Sequence, residues 1–435
     1  MSASALSFST LGLDPTLTQR LDELEYQQPT DIQAAAIPLM LAGEDVMAGA
    51  QTGTGKTAAF VLPILQRLIA AKNESLTHSD NTKTPGSDSQ INATSSGVKA
   101  LILVPTRELA QQVHQSVVQY AEHTDISAVM VYGGVSIKAQ VTSIQAGVDI
   151  IIATPGRLLD HLRNKVMSLS SLQYLVLDEA DRMLDMGFKE EIVEVLKRLP
   201  KQRQTALFSA TLDDQIFRFS QRLLRSPKIV ETAKRNSTAA KIIEKVYNLD
   251  SERKSALLGH IVNKEPWSQT LVFSRTKQGA DKIAAQLTAN KISAAPFHAD
   301  LSQFVRESTL ADFKAGKVKV LVATDVAARG LDIEQLDAVV NFELPFKAED
   351  YVHRIGRTGR AGKDGVAVTF LSPDDEALLV ALERKLDRRL PQQWYQGFEP
   401  DLTKEPALQP RKAKKGSLKQ RARQKAIADS ARKRK

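Results

Sequence analysis

Short apolar runs recur along this chain, each closed by Gly, Pro, Thr or acidic residues and each followed by a stretch with helical spacing. In the first half they fall at residues 45–48, 100–104, 128–132, 149–153, 174–177 and 205–208. In the second half they fall at 270–273, 318–323, 338–342 and 366–370. Runs this short, alternating with helical patterns, predict parallel strands joined by crossover helices. The expected fold class is α/β, with two bodies that share a rhythm but no repeated sequence. Ligands of such sheets collect beyond the carboxyl ends of the strands, which points to the loops after each run.

Polar stretches set the borders. Residues 233–241 are small and polar and predict a linker between a first body at 1–232 and a second at 242–390. Residues 73–97, rich in Ser, Thr, Asn and Asp, predict a disordered surface insertion in the first body. An amphipathic helical pattern at 374–390 is expected to pack on the second body, and 391–435 are expected to form a basic, disordered tail.

Composition narrows the class. With 42% hydrophobic and 25% charged residues over 435 positions, the chain reads as a soluble globular protein. It lacks an apolar run of membrane-spanning length and a signal-peptide pattern at its start, so no membrane partner is expected. It has no cysteine, which excludes disulfides and cysteine-held metal and fits a reducing cytoplasm, the expected location. The net charge of +9 is unevenly spread. Residues 411–435 hold twelve Lys/Arg and one acid, a net of +11 that leaves −2 for the other 410 residues. The tail therefore offers an electrostatic handle to a polyanion such as nucleic acid.

Candidate chemistry begins after the first run, at Ala50-Gln51-Thr52-Gly53-Thr54-Gly55-Lys56-Thr57. Small residues between a strand and a helix let backbone N–H groups cradle phosphates at the helix N-terminus. Lys56 can reach the β- and γ-phosphates, and the Thr57 hydroxyl can ligate Mg²⁺. Farther on, the strand reading at 174–177 runs directly into Asp178-Glu179-Ala180-Asp181. An acid ending a buried strand beside a phosphate loop suits Mg²⁺ positioning, the role expected of Asp178. Glu179 is the natural candidate to orient and deprotonate an attacking water. Acids are also favoured at a plain helix start, but Lys56 upstream weighs against that simpler reading.

With these residues in place the sequence resembles the DEAD-box RNA helicases of superfamily 2, from about Phe8 to about Leu371. The resemblance implies two tandem RecA-like domains. Glu25-Tyr26-Gln27-Gln28-Pro29-Thr30-Asp31-Ile32-Gln33 resembles the family's adenine-reading segment, with Phe8 as the isolated upstream aromatic. Glu25 and Asp31 stand where the family usually has Gly and Pro. The resemblance implies that Phe8, Thr30 and Gln33 serve the nucleotide together with Gln51, Thr52, Gly53, Thr54, Gly55, Lys56 and Thr57. Pro105-Thr106-Arg107-Glu108-Leu109-Ala110, Gly133-Gly134 and Thr154-Pro155-Gly156-Arg157 resemble segments that hold the RNA backbone. Gly, Thr and backbone N–H groups can approach sugar and phosphate closely, and Arg107 and Arg157 add charge. Contacts of that kind do not read base edges. Ser209-Ala210-Thr211 resembles the coupling motif, whose hydroxyls can bond the acids of the 178–181 box, Asp181 included.

The second body supplies matches at Leu271-Val272-Phe273-Ser274-Arg275-Thr276, at Gln303 with Arg306, at residues 323–332 and at His353-Arg354-Ile355-Gly356-Arg357-Thr358-Gly359-Arg360. The resemblance implies that Thr324 touches RNA, that Asp332 touches the ATP ribose, and that His353 belongs to the coupling apparatus. It also makes Arg357 and Arg360 arginine fingers, which stabilise charge on the transferring phosphoryl group from the opposite body. The implied function is RNA-stimulated ATP hydrolysis with Mg²⁺, coupled to closure around RNA and to local, non-sequence-specific unwinding. The implied partner is RNA, with ribosomal particles and RNA-decay proteins as open settings, and the chain is expected to act as a monomer. Two rival readings use the same residues. One is an ATP-gated RNA clamp whose strand separation is incidental. The other is a DNA-translocating ATPase of the superfamily, against which the complete 178–181 box, Gln33 and residues 105–110 argue.

Overall fold

The computed structural model of the chain describes residues 7–50, 53–80, 97–232, 242–328, 331, 333, 336–359 and 365–401. One sheet contains β1 (Val46–Gly49), β2 (Ala100–Leu103), β3 (Ala128–Val131), β4 (Ile150–Ala153), β5 (Tyr174–Leu177), β6 (Gln204–Ser209) and β7 (Lys228–Glu231), in spatial order β3-β4-β2-β5-β6-β1-β7. The other contains β8 (Ile242–Asn248), β9 (Thr270–Ser274), β10 (Ala294–Phe297), β11 (Val320–Thr324), β12 (Ala338–Asn341), β13 (Gly365–Leu371) and β14 (Gln392–Gln393), in order β10-β11-β9-β12-β13-β8-β14. Every pairing in both is parallel.

The unbroken apolar runs have a simple cause: helices cover both faces of each sheet. Along β2, Ile102 enters one apolar cluster with Phe60 and Phe208, whereas Leu101 and Leu103 enter another with Leu158, Met183 and Leu207. Successive side chains of a strand point to opposite faces, so a strand covered on both sides must be apolar at every position. Register then builds the functional edge. Leu103 lies beside Leu177, Leu177 beside Leu207, and Ala48 beside Phe208, which levels the carboxyl ends of β1, β2, β5 and β6. Ala50, Thr106, Asp178 and Ser209 therefore emerge on one edge of the first sheet. In the second, Thr324 lies beside Ser274, and Asn341 beside Phe273.

The runs read from the sequence are strands with ends moved by a residue or two, and four strands escaped that reading. β10 contains Pro296, which cannot donate to a ladder; it is tolerated because β10 is the outer strand of its sheet. β7 and β8 mix charges with apolar residues, and β14 is two residues long. The expected insertion also begins later than 73, because the helix Lys56–Asp80 carries straight through its first residues. The expected tail begins later than 391: β14 pairs with Val246 and Tyr247, and the Tyr395 ring meets that of Tyr247 edge-on at 5.2 Å. The Arg253 guanidinium lies 5.1 Å over the Phe398 ring, and the Asp401 N–H reaches Asp250. The second lobe thus holds the chain as far as Asp401. Residues 81–96, 233–241 and 402–435 lie outside the described residues, the expected linker and basic tail among them.

The lobes meet along their carboxyl edges. Arg306 pairs with Glu108 at 2.8 Å, Gln111 donates to Glu307 at 3.0 Å, and Lys347 pairs with Asp185. Among the described residues no helix is long and apolar enough to cross a membrane.

Candidate functional site

The phosphate loop is shaped by backbone freedom and by one amide. Gly53 and Gly55 take φ of 76° and 86°, a left-handed conformation that a side chain disfavours. A side chain on Gly55 would also collide with Gln33. Gln33, on the helix Asp31–Leu41, donates from Nε2 to the Gly55 carbonyl (3.0 Å) and accepts the Thr30 N–H at Oε1 (2.9 Å). The Thr30 hydroxyl donates to the Thr54 carbonyl at 2.8 Å. The pair expected to read adenine therefore also clasps the loop at two carbonyls.

Lys56 opens the helix Lys56–Asp80 with its side chain buried, and its Nζ has no hydrogen-bond partner among the described residues. A buried ammonium without acceptors is costly unless an anion arrives to meet it. Asp178, which follows β5 and is buried, accepts the Glu179 N–H at 2.9 Å. Burial pushes its carboxyl up to about 6 in spite of the pull of Lys56, with Glu179 and Asp181 adding repulsion. Glu179 takes a left-handed φ of 53°, uncommon for a residue with a side chain, and pairs with Arg182 at 2.9 Å. Asp181 Oδ1 is buried without a partner. A cavity of about 540 Å³ joins Gly53, Gly55, Lys56, Thr57, Asp178 and Glu179 to Arg357 of the second lobe. Arg357 donates to the carbonyl of Leu331, the residue before Asp332. His353 lies in a small cleft with Arg182, Asp325, Arg354 and Arg357.

Three expectations change on contact with this geometry. Phe8 lies in the core of the first lobe; the aromatics that line the cavity are Tyr26 and Tyr120, and the isolated place of Tyr26 in a polar run gave no spacing signal. The Ser209 hydroxyl donates to the Thr211 carbonyl (2.6 Å), and no bond joins Ser209 or Thr211 to Asp178, Glu179 or Asp181. Arg354, passed over between His353 and Arg357, makes a forked pair with Asp325 (2.6 and 2.7 Å) and donates to Asn341 and the Glu343 carbonyl. It fixes the turn immediately after Thr324. Gln51, Thr52, Asp332 and Arg360 lie outside the described residues.

The segments expected to hold RNA line the same interlobe edge. Thr106 caps the helix Arg107–Tyr120 by accepting from the Leu109 N–H (3.2 Å), with Pro105 just before it. The Arg107 guanidinium packs against Gly134, leaving no room for a side chain there, and donates to Gln303 across the cleft at 3.1 Å. Thr154 and Pro155 start the helix Pro155–Arg163, with Gly156 in its first turn. Arg157 donates to the Val135 carbonyl (3.1 Å) and to Gln140 (3.2 Å), so it secures the loop that carries Gly133 and Gly134. Thr324 ends β11, nearly buried.

A family profile described as DEAD/DEAH box helicase matches residues 30–219, and one described as helicase conserved C-terminal domain matches residues 253–362. The ATP-dependent RNA helicase CshA of Listeria monocytogenes is 39% identical over 88% of this chain and 69% of its own length. The ATP-dependent RNA helicase DeaD of Mycobacterium tuberculosis is 40% identical over 88% of this chain and 64% of its own length. The chain belongs to the DEAD-box family of ATP-dependent RNA helicases. Among solved structures, S. cerevisiae Dbp5 bound to RNA and ADP BeF3 superposes with a TM-score of 0.77 at 30% identity, covering 91% of this chain and 96% of that one. The DEAD-box helicase Mss116 bound to ssRNA and UDP-BeF gives 0.78 at 27% identity, covering 91% and 81%. The two parallel sheets are the tandem RecA-like domains of this family. The chain spans about two thirds of the length of the two bacterial helicases.

For a DEAD-box helicase the donor set fits nucleotide and magnesium. The unpartnered Lys56 Nζ awaits phosphate oxygens, and the buried Asp178 carboxyl, raised by desolvation, awaits a cation. Among the described residues no cluster of three or more His, Cys, Asp or Glu could hold a metal alone.

Proposed function

We propose that this helicase hydrolyses ATP at the cavity between Lys56 and Arg357 and uses the closure of its lobes to bend and part short RNA duplexes. The carrying observation is the unpartnered, buried Lys56 Nζ facing the buried Asp178, in a cavity that the second lobe completes with Arg357. Lys56 and the loop N–H groups seat the β- and γ-phosphates, while Thr30 and Gln33 hold both the loop and the adenine. Glu179, oriented by Arg182, takes the proton of the attacking water as the new P–O bond forms and the β–γ bridge breaks. Arg357 and Arg360 stabilise the charge on the transferring group, and Asp332 holds the ribose. Thr57 and Asp178 would hold Mg²⁺, which supplies neutralising charge to the phosphate oxygens.

Thr106, Arg107, Gly133, Gly134 and residues 154–157 of the first lobe, and Thr324 of the second, follow or end strands at the carboxyl edges along which the lobes meet. We assign the surface they form to the RNA backbone. An A-form duplex cannot follow a path bent across two lobes, so one strand is lost. Because ATP and RNA both favour the closed form, each strengthens the other. We assign Asp181 and His353 to the coupling of nucleotide state and lobe closure, a reading supported by the place of His353 in the cleft with Arg182 and Arg357. Contacts of this kind ignore sequence, so the RNA can belong to ribosomal particles or to decay complexes. One chain supplies the whole cleft, which supports action as a monomer in the cytoplasm, where such RNA resides.

The test is steady-state ATP hydrolysis without nucleic acid, with single-stranded RNA and with matched DNA, beside Lys56→Ala and Glu179→Gln. RNA alone should raise wild-type turnover severalfold, and both variants should stay near background. Equal stimulation by DNA would refute the choice of RNA, and near-normal turnover in Lys56→Ala would refute the phosphate-loop assignment.

A further inference from the structure

Among the described residues the two most exposed large apolar side chains, Phe304 (80%) and Phe346 (74%), are both on the second lobe. Phe304 lies in the first turn of the helix Gln303–Lys314, which follows β10. Phe346 follows β12, just before the helix Ala348–Ile355. In the sheet order β10-β11-β9-β12, the two rings therefore leave the carboxyl edge on either side of β11 and β9, whose ends carry Thr324 and Ser274. The strands they follow are three ladder spacings apart, roughly 14 Å.

Both rings sit at the border between the lobes. Gln303, next to Phe304, accepts a hydrogen bond from Arg107, which in turn packs on Gly134. Phe304 thus stands where the RNA segments assigned to the two lobes meet. Phe346 is held from one side, with the Arg275 guanidinium 5.2 Å from the ring centre and Lys347 engaged with Asp185. The remaining surface of the ring is open.

We infer that Phe304 and Phe346 are stacking platforms for unpaired RNA bases, at the two ends of the second lobe's share of the RNA path. The inference rests on the RNA surface proposed above. Every nucleobase presents a π-face, and stacking on an aromatic ring tolerates any sequence. Bases inside an A-form duplex are already stacked, so only a separated strand has a face to offer. Sugar and phosphate contacts exist for single and double strands alike. The two rings would give this clamp a preference for the product of unwinding that backbone contacts alone do not supply.

The experiment compares oligo(A) with an abasic ribose-phosphate oligomer of equal length, bound with a non-hydrolysable ATP analogue and followed by fluorescence anisotropy. The full chain, Phe304→Ala, Phe346→Ala, the double variant and Phe304→Trp are measured. Wild type should prefer oligo(A), and each alanine should remove about tenfold of affinity for oligo(A) while leaving the abasic oligomer unchanged. Phe304→Trp should retain the preference, and a 2-aminopurine base in the strand should be quenched by wild type but not by the double variant. Equal losses on both oligomers would mark a structural effect and overturn the inference, as would a wild type that does not distinguish them. Unchanged RNA discrimination with a lost tendency to self-associate would assign the rings to protein contact instead. If wild type binds neither oligomer, the RNA surface itself fails, and the platforms with it.

Discussion

At the scale of the residue, the site stores tension that its ligands relieve. Asp178 has its carboxyl raised to about 6 by burial, against the attraction of Lys56. In the nucleotide-free protein such a group favours folding fully below its unfolded value near 3.8, and the benefit is lost as pH rises through about 6. Asp178→Asn should therefore stabilise the nucleotide-free protein at pH 8, by about 1–3 kcal/mol in urea unfolding. The same change should nearly abolish turnover. Lys56 and Asp178 were legible in the sequence because each follows an apolar run and the two motifs confirm one another. The clasp of Gln33 on the loop was not, because the hydrogen bonds of an amide depend on what folding brings beside it. Tyr26 was named only as part of the adenine-reading segment and given no role of its own: within a polar run, one aromatic has no period.

At the scale of the element, a buried charge knot ties the second lobe together. Asp375 accepts from Ser372 and pairs with Lys254 (3.0 Å) and Arg275 (2.6 Å). Burial alone would raise the Asp375 carboxyl, yet Lys254, Ser372 and Arg275 together hold it down at about 2. Burial in turn lowers the ammonium of Lys254. A depressed carboxyl contributes stability above its unfolded value and loses it as pH falls toward 2. Removing one partner leaves the others charged and desolvated, so Asp375→Ala should cost about 3–5 kcal/mol at neutral pH. Urea unfolding of the two proteins should show that gap, and it should narrow toward pH 2. Most strands that the sequence revealed, such as β4 with Ile150, Ile151 and Ile152, are buried on both faces; the edge strand β3 was legible because all four of its residues are apolar. The missed ones are at or near sheet edges, where one open side admits Pro296 in β10 and Glu231 in β7 and breaks the apolar pattern.

At the scale of the whole molecule, closure is held partly by the lobes themselves. Glu108 and Arg306 face each other across the cleft, nearly buried, and burial lowers the pKa of the Arg306 guanidinium. Arg306→Glu places two carboxylates together there and should open the lobes, weakening ATP and RNA alike, by about tenfold for RNA. Adding Glu108→Arg should restore much of the loss. Distance measurements by fluorescence transfer between labels on the two lobes would check both. The division into two α/β bodies was legible from rhythm alone, but these contacts across the cleft were not: they join residues about two hundred positions apart, and only the superposed edges bring them together.

The short strand β14 has a consequence for how the molecule behaves in company. A sheet that ends in a long strand offers a row of free N–H and C=O groups on which another chain can template itself. Here the last strand is two residues long, follows Pro391, and is anchored by Tyr395 and Phe398 as the backbone turns away. At this edge a neighbouring copy finds too little free ladder to extend the sheet into an aggregate.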